Sequence, residues 1–427
     1  MLPRQALLVL ALLLGPLALA AQQGFYLRNN DTVVFYGDSI TEQRLYTTFV
    51  ETFVLTRYPR LQVRFVNAGW GGENAPGGNG GPVDLRLRRD VIPFKPTVMT
   101  VMLGMNDGGY RAFDQERFDR YTTGMEHILQ VTKAAFPSLR ITLLEPSPYD
   151  DLTEEPQFPG GYNSVLVRYG QYVRELARRN QTLVADLNGP VVEMLKRAIA
   201  LDPVGAKAII PGRIHPAAGG HLIMAESLLK AWGASSIVSS VEIDAASRQV
   251  TASENTTVTG LAVNQGLTWS QLDGALPLAL NLRDPAVPIA ARRGAATLDL
   301  ALRSSDFTDA LNRQTLRVRG LADASYALKI NGSAVGSFSR EQLEKGLNLA
   351  TLVTPMARQA QTVFLLTVKR GDVREKRWKE IQVPYGEDNL NGLPAALEGL
   401  DAMEAELAQR QRAAAQPAAC FYELIPE

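Results

Sequence analysis

The chain has 427 residues, 46% hydrophobic and 21% charged, which is typical of a folded globular protein and long enough for two domains. Lys and Arg together number 44, as do Asp and Glu, so the formal net charge is zero. This balance argues against nucleic acid or an anionic membrane surface as the main partner.

The N-terminus has the layout of a secretory signal peptide. Arg4 precedes an apolar run that ends in small residues at Ala20 and Ala21, and the run is shorter than the ~20 residues that a membrane span needs. We therefore predict a signal peptide at residues 1–21, a secreted or periplasmic protein, and no membrane span after its removal. Cys420 is the single cysteine, so no internal disulfide is expected to support the exported fold.

From residue 32 to about 235, short apolar runs alternate with helical patterns. The predicted strands are Thr32–Tyr36, Val63–Asn67, Thr97–Leu103, Ile141–Leu144 and Leu183–Leu187. The predicted helices are Thr47–Tyr58, Val83–Val91, Gln115–Phe136, Ser164–Arg179, Pro190–Ala200 and Ala217–Ala231. Such alternation predicts a doubly wound parallel sheet with helices on both faces, and we assign it to a domain over residues 22–235.

The pattern changes near residue 236, where short β-type segments are separated by Gly, Asn, Asp and Pro. The predicted strands are Thr297–Leu302, Thr315–Val318, Ser325–Ile330 and Thr362–Val368. Asn331-Gly332 favours a hairpin between Tyr326–Ile330 and Ala334–Phe338, because both turn residues accept the positive φ of a type I′ turn. Residues 236–384 are therefore predicted to form a β-rich, sandwich-like module.

Two further features complete the predicted organisation of the C-terminal half. Pro277, Pro285 and Pro288 mark a long irregular insertion within the β-rich module. Residues 391–416 have the apolar spacing of an amphipathic helix, so we predict a helical extension over residues 385–427. No element is predicted after Pro417.

Polar residues gather where the predicted strands of the first domain end, which is where ligands of open α/β sheets bind. The four motifs are Gly37-Asp38-Ser39, Asn67-Ala68-Gly69-Trp70-Gly71-Gly72, Gly104-Met105-Asn106-Asp107 and Arg213-Ile214-His215-Pro216. Taken singly, each has a structural explanation: Ser39 as a helix N-cap, Asn106 as a loop-capping amide, His215 as a core or capping histidine.

Taken together and in order, the motifs resemble the four blocks of the SGNH (GDSL-type) hydrolases. The resemblance runs from about residue 32 to 235 and implies a flavodoxin-like three-layer α/β/α sandwich with a parallel sheet. It implies Ser39 as nucleophile and His215 as general base and acid, since a serine hydroxyl needs a base within hydrogen-bond reach. It also implies an oxyanion hole made by the N–H groups of Ser39 and Gly72 and the side-chain amide of Asn106.

Three more residues of these motifs, Asp38, Gly69 and Asp107, are candidates for supporting roles. No Cβ at Gly72 would keep a substrate from approaching the backbone. The family places an Asp three residues before its histidine, and here that position is Gly212. Loss of such an orienting carboxylate costs roughly 10⁴-fold in other Ser-His systems.

Three explanations for the missing carboxylate stay open. A backbone carbonyl holds the second imidazole nitrogen, as in some members of the family. Alternatively, Asp150, Asp151 or Asp202 reaches that nitrogen, or the protein binds its ligand without hydrolysing it. A working Ser39–His215 dyad is the interpretation that we favour.

The expected function is that of an exported serine esterase acting through an acyl-enzyme on small acyl esters, in particular O-acetyl esters and those of carbohydrates. The alternatives are a hydrolysis-deficient binding protein of the same fold and an O-acyltransferase with the same residues. A small-molecule or glycan ester is the expected partner, and the sequence determines neither the acyl group, the alcohol nor the oligomeric state.

No cofactor or metal is expected. The three histidines, His127, His215 and His221, are scattered and the cysteine is distal, which makes a poor set of metal ligands. The Gly-rich run over Gly69–Gly81 lacks both G-x-G-x-x-G and a Gly-Lys-Ser/Thr sequence, so nucleotide binding is not supported.

Overall fold

The computed structural model of the chain describes residues 24–279, 282–283, 292 and 294–427. The predicted signal peptide, as well as Pro285 and Pro288 of the predicted insertion, lies outside the described residues. Among the helices that are described, none combines the length and the apolar character that a bilayer span requires.

The first unit is built on short strands with buried side chains. Its strands are β1 (Thr32–Gly37), β2 (Arg64–Gly69), β3 (Gly77–Gly78), β4 (Gly81–Pro82), β5 (Val98–Met102), β6 (Arg140–Leu144) and β7 (Leu183–Ala185). Five of them form one parallel sheet in the order β2-β1-β5-β6-β7, whereas β3 and β4 pair only with each other. The side chains from Val33 to Tyr36 in β1 are all buried, as expected for a strand covered on both faces.

Helices alternate with these strands. They are α1 (Ser39–Glu42), α2 (Leu45–Arg57), α3 (Val83–Asp90), α4 (Gln115–Ala135), α5 (Gly161–Asn180), α6 (Gly189–Leu201), α7 (Pro203–Ala206) and α8 (Ala218–Ala231), with 3₁₀ turns at Ile92–Phe94 and Pro211–Arg213. The predicted strands and helices of this unit are confirmed, with ends that differ by a few residues. The unit has the predicted flavodoxin-like α/β/α architecture.

The second unit is rich in β-structure, as predicted. Its strands are β8 (Ile237–Asp244), β9 (Gln249–Glu254), β10 (Thr256–Val263), β11 (Leu267–Asp273), β12 (Arg313–Arg319), β13 (Ser325–Ile330), β14 (Ser333–Ser339), β15 (Leu347–Asn348) and β16 (Cys420–Pro426). One sheet has the order β10-β11-β16-β13-β14 and the other β15-β12-β8-β9. Trp269 and Tyr422 of the first sheet share one buried core with Val241 and Leu316 of the second.

The predicted hairpin between β13 and β14 is confirmed. Asn331 and Gly332 form its turn with φ of 50° and 73°, the positive values that a type I′ turn requires.

The remaining helices follow or interrupt the β-strands. They are α9 (Ala295–Arg303), α10 (Phe307–Leu311), α11 (Arg340–Lys345), α12 (Pro355–Glu375), α13 (Val383–Tyr385) and α14 (Leu393–Ala414), with a 3₁₀ turn at Leu349–Thr351 and a π-helical segment at Lys376–Gln382. Helix α14 confirms a helix at the predicted position, but the side chains that it buries are the polar Glu404 and Gln411. Helix α12 packs between α14 and α2 of the first unit.

Two predicted strands are wrong because they lie inside helices. Thr297–Leu302 belongs to α9, where its buried residues recur at the spacing of a helical face rather than alternating. Thr362–Val368 belongs to α12, which starts at a strong N-terminal signal: Thr354 accepts the N–H of Ala357 at 3.1 Å and Pro355 follows it. The boundaries at residues 235 and 384 stay predictions.

Candidate active site

Three adjacent strands place the first three motifs at one edge of the parallel sheet. Strand β1 lies between β2 and β5, and Gly37 at its end is paired with Gly69 and with Met102. Ser39, Gly72 and Asn106 therefore follow the carboxyl ends of neighbouring strands, and each is partly exposed.

Ser39 and His215 meet at this edge although 176 positions separate them. Oγ of Ser39 lies 2.8 Å from Nε2 of His215, which is hydrogen-bond distance. Ser39 is the first residue of α1, and the side chain of Asp38 caps that helix by accepting the N–H of Ile40 at 3.0 Å. Burial lowers the pKa of His215 below its usual 6.5, so its imidazole is neutral at pH 7 and able to accept a proton.

The candidate oxyanion donors lie on the same side. The N–H of Ser39 is in the first turn of α1, where no intrahelical acceptor exists, and the N–H of Gly72 donates to no backbone carbonyl among the described residues. Asn106 uses one Nδ2 proton on the carbonyl of Glu73 at 2.8 Å. The second proton of that amide has no partner in the described part of the chain.

The conformation of its loop, as well as the approach of a substrate, requires glycine at position 72. Its φ is +71°, which residues with a Cβ rarely adopt, and a Cβ there would lie 2.2 Å from Nδ2 of Asn79. The loop that carries this candidate donor thus depends on glycine for its own conformation.

Tyr110 is a site residue that the sequence did not single out. Its hydroxyl donates to Oδ1 of Asn106 at 2.7 Å. This hydrogen bond orients the Asn106 amide so that Nδ2 is the end that can donate to a substrate. Tyr110 has a φ of +57°, an outlier for a bulky residue, and its ring packs against those of Tyr149 and Tyr162. No sequence signal marks it, because its role appears only when the side chains are in place.

The second nitrogen of His215 has no hydrogen-bond partner among the described residues, carbonyls included. Asp150 accepts N–H groups of its own loop, Asp151 accepts the N–H of Asn163 and Asp202 caps α7. Neither one of these three carboxylates nor a backbone carbonyl of the described residues hydrogen-bonds to His215, so the structure supports neither of these two explanations for the missing aspartate.

Arg213 stabilises the loop before His215, a role that the sequence did not predict although Arg213 belongs to the fourth motif. It forms an ion pair with Glu154 at 2.9 Å, and its carbonyl accepts the N–H of Asp150. The preceding Gly212 has a φ of +66°, and a Cβ there would find no atom of the described residues within 4 Å. The loop therefore has space for a side chain at the position where the family has its aspartate, but the positive φ strains any residue other than glycine.

The three candidates for supporting roles, Asp38, Gly69 and Asp107, form hydrogen bonds that involve backbone N–H groups of the site loops. Asp107 accepts the N–H of Ala75 at 2.8 Å and so joins two of the site loops. Its Oδ2 is buried and has no hydrogen-bond partner among the described residues. Burial raises the pKa of Asp107 to about 7, and that of Asp38 likewise to about 7. The N–H of Gly69 donates to Oδ1 of Asn67 at 3.0 Å.

The other two histidines hydrogen-bond to residues other than Ser39. His221 is buried between the N–H of Tyr46 and Oε1 of Gln43, and burial lowers its pKa to about 3. His127 contacts Asp84 at 2.7 Å on the surface. Within the described ranges, no three metal-ligating side chains come together.

Comparison with known proteins gives a family for the first unit. The model of the GDSL-like lipase/acylhydrolase family matches residues 35–223. An acetylxylan esterase of Geobacillus stearothermophilus is 26% identical over 229 residues, which are 48% of this chain and 95% of that protein.

One solved structure extends the similarity beyond that unit. A gut microbial diltiazem-metabolizing enzyme matches with a TM-score of 0.80 and 25% identity, over 94% of this chain and 98% of its own. A catalytic mutant of the Geobacillus esterase covers 49% of this chain and 97% of its own, at 25% identity and a TM-score of 0.41.

Proposed function

Residues 35–223 form a GDSL-like lipase/acylhydrolase domain, and from this premise we propose that the protein is a serine esterase for small acyl esters. The observation that carries the proposal is the 2.8 Å separation between Oγ of Ser39 and Nε2 of His215. A neutral imidazole at that distance is the base that a serine nucleophile needs.

In the proposed reaction, Oγ of Ser39 attacks the ester carbonyl carbon while Nε2 of His215 takes the hydroxyl proton. The oxyanion of the tetrahedral intermediate accepts hydrogen bonds from the N–H groups of Ser39 and Gly72 and from Nδ2 of Asn106, each worth about 3–4 kcal/mol. The imidazolium then protonates the leaving alcohol. Water, deprotonated by His215, releases the acyl group from Ser39.

The proposed substrates are O-acetyl esters of carbohydrates. The similarity of the first unit to an acetylxylan esterase supports this choice. The neighbour that shares both units of the chain metabolises diltiazem, so diltiazem is a second compound to assay. We also propose export to the periplasm or the medium on the basis of the N-terminal sequence, which N-terminal sequencing of the natural protein tests.

A binding protein without hydrolysis is the second candidate function. The observation that favours it is the second nitrogen of His215, which no described residue orients. Such a protein would keep the fold and bind esters without turning them over.

Turnover of p-nitrophenyl acetate and acetylated xylan separates the two functions. We expect measurable hydrolysis by the unaltered protein and a loss of about 10³-fold or more in kcat for Ser39→Ala and His215→Ala. His127→Ala is the matched control and should retain full activity, because His127 lies on the surface with Asp84. Hydrolysis that survives Ser39→Ala would disprove the assignment of the nucleophile, and absence of hydrolysis in every variant would favour the binding protein.

A further inference from the structure

A groove rich in arginine lies between the first unit and the C-terminal helices. It has a volume of about 1390 Å³ including its open mouth, and it is lined by β2, α3, α12, the π-helical segment and α14. Six of its lining side chains are cations, and we call it the arginine groove: Arg64, Arg89, Arg370, Arg374, Arg377 and Arg412. The acidic residues in its lining are Asp401 and Glu404.

Three of the six arginines have carboxylate partners at hydrogen-bond distance. Arg370 donates to Glu51 and Glu404 at 2.7 and 2.8 Å, and Arg377 donates to Asp401 at 2.6 Å. Arg89 donates to Asp90 at 2.7 Å. Both acidic residues of the groove lining, Asp401 and Glu404, are thus hydrogen-bonded to Arg377 and Arg370. The other three arginines of the groove have no carboxylate of the described residues at hydrogen-bond distance.

Arg64, Arg374 and Arg412 donate no side-chain hydrogen bond to any residue that the structure describes. The side chain of Arg374 is only 7% exposed, and its nearest carboxylate oxygen, in Glu404, lies 3.8 Å away. Its Nε is buried and has no hydrogen-bond partner in the part of the chain that the structure describes. The guanidinium instead lies 4.3 Å from the ring centre of Phe94, and that of Arg64 lies 5.6 Å from the same ring.

A buried guanidinium without an acceptor is costly, because each unpaired donor loses its hydrogen bonds to water. The cost is recovered when an anion supplies the acceptors, and the planar fork of arginine matches carboxylate and phosphate oxygens. Burial lowers the pKa of Arg374 to about 10, with Glu404 raising it and the neighbouring arginines lowering it, so the group is still charged at pH 7.

We propose that the arginine groove is a binding site for an oxyanion group of a ligand, with Arg374 as its central donor and Arg64 and Arg412 at its sides. The ligand class is a molecule that carries a carboxylate, sulfate or phosphate, such as an acidic sugar. Arg89 also lies 4.9 Å from the ring of Trp70, two residues before Gly72, so the site adjoins a loop of the candidate active site.

Calorimetric titration at low ionic strength tests this site without relying on hydrolysis. The full-length Ser39→Ala protein is titrated with trigalacturonate, with inorganic phosphate and with neutral xylotriose. We expect saturable binding of an anion and none of xylotriose, weakened about tenfold or more by Arg374→Gln. Binding of trigalacturonate alone identifies a carboxylate ligand, and binding of phosphate alone identifies a phosphorylated or sulfated one.

Further variants distinguish loss of the anion site from loss of the folded protein. Arg374→Gln removes a buried cation that donates no hydrogen bond to the described residues, so the melting temperature of this variant should not fall below that of the parent protein. Arg64→Gln and Arg412→Gln should also weaken anion binding, whereas Arg410→Gln, an exposed arginine outside the arginine groove paired with Glu406, should not. No saturable binding of either anion, or equal binding by the protein with and without Arg374 and Arg64, would overturn the proposal.

Discussion

Asn106 has the most constrained side chain of the candidate oxyanion hole. Its Oδ1 accepts from the hydroxyl of Tyr110 and its Nδ2 donates to the carbonyl of Glu73, so both ends of the amide are defined. A donor that is held in place before the reaction needs no reorganisation as charge develops. Tyr110 is therefore a positioning residue, acting through Asn106.

Replacing Tyr110 by Phe should lower kcat by about tenfold to 100-fold, less than the 10²–10³-fold for removing an oxyanion donor outright. KM should change little, because the amide is released and not removed. Steady-state kinetics with p-nitrophenyl acetate measures both constants. Tyr149→Phe is the matched control, since this neighbouring hydroxyl donates no hydrogen bond to the described residues; equal effects of the two substitutions would refute the role of Tyr110.

The pH dependence of catalysis should report His215. Burial lowers its pKa below 6.5, and protonation of Nε2 removes the acceptor for the serine proton. The midpoint of the loss of activity at acid pH should therefore lie below 6.5. The acid limb of kcat/KM against pH measures this pKa, and a midpoint near 7 would point instead to Asp38 or Asp107, whose pKa burial raises to about 7.

Helices α12 and α14 fasten the C-terminal region to the first unit through a buried ion cluster. Arg370 of α12 donates to Glu51 of α2 and to Glu404 of α14, and Gln411 of α14 donates to the same Glu51. Trp378 of the π-helical segment donates to Asp90 at 2.7 Å and packs edge-on against Trp70. The contacts of Trp378 connect the π-helical segment to Trp70 in the loop that carries Gly72.

Arg370→Met should destabilise the protein by about 3–5 kcal/mol, because it leaves two buried carboxylates without their cation. Chemical denaturation measures the free energy of unfolding. Arg410→Met, which removes an exposed cation from the neighbouring helix, should cost under ~1 kcal/mol. A loss of similar size in both variants would show that burial of the ion cluster is not what stabilises this contact.

The parallel sheet was predictable element by element, because each buried strand is a short apolar run between amphipathic helices. The errors at Thr297–Leu302 and Thr362–Val368 arose where β-branched or alternating residues lie within helices. In α12 the cap at Thr354-Pro355 was the overlooked signal, and the buried Val363, Phe364 and Thr367 share one helical face. In α12, packing against α2 outweighs the β-strand propensity of the individual residues.

At the scale of the whole molecule, the chain closes its second unit only with its last strand. Strand β16 lies between β11 and β13 in the middle of its sheet, after α12 and α14 have crossed to the first unit. Tyr422 of β16 is fully buried and stacks on Trp269 at 4.9 Å, whereas its neighbour Phe421 is 45% exposed. The two units are therefore interleaved along the chain.

Tyr422→Ala should lower the free energy of unfolding by about 3–5 kcal/mol, as expected for a large aromatic residue removed from a core. Phe421→Ala, on the other face of the same strand, should change it by under ~1 kcal/mol. Denaturant titration of both variants measures the difference. Equal losses would contradict a central, buried position for β16.

The features that could not be predicted from the sequence are those that depend on contacts between distant segments of the chain. The four motifs of the first unit could be assigned to one edge of the sheet because parallel strands end together. Tyr110, Arg213 and the contact of Trp378 with Trp70 could not, because each depends on segments brought together by the complete fold. Strand β16 was missed for the same reason, since its partners lie far back in the chain.

Covalent labelling of the native protein by a fluorophosphonate, followed by peptide mass spectrometry, tests whether His215 activates Ser39. Only a serine hydroxyl activated by a neighbouring base reacts readily with such a probe. We predict one adduct on Ser39, strongly reduced in His215→Ala and unchanged in His127→Ala. If Ser39 of the folded protein is not labelled, or if it is labelled equally in the native protein and in His215→Ala, these two residues do not form a catalytic pair.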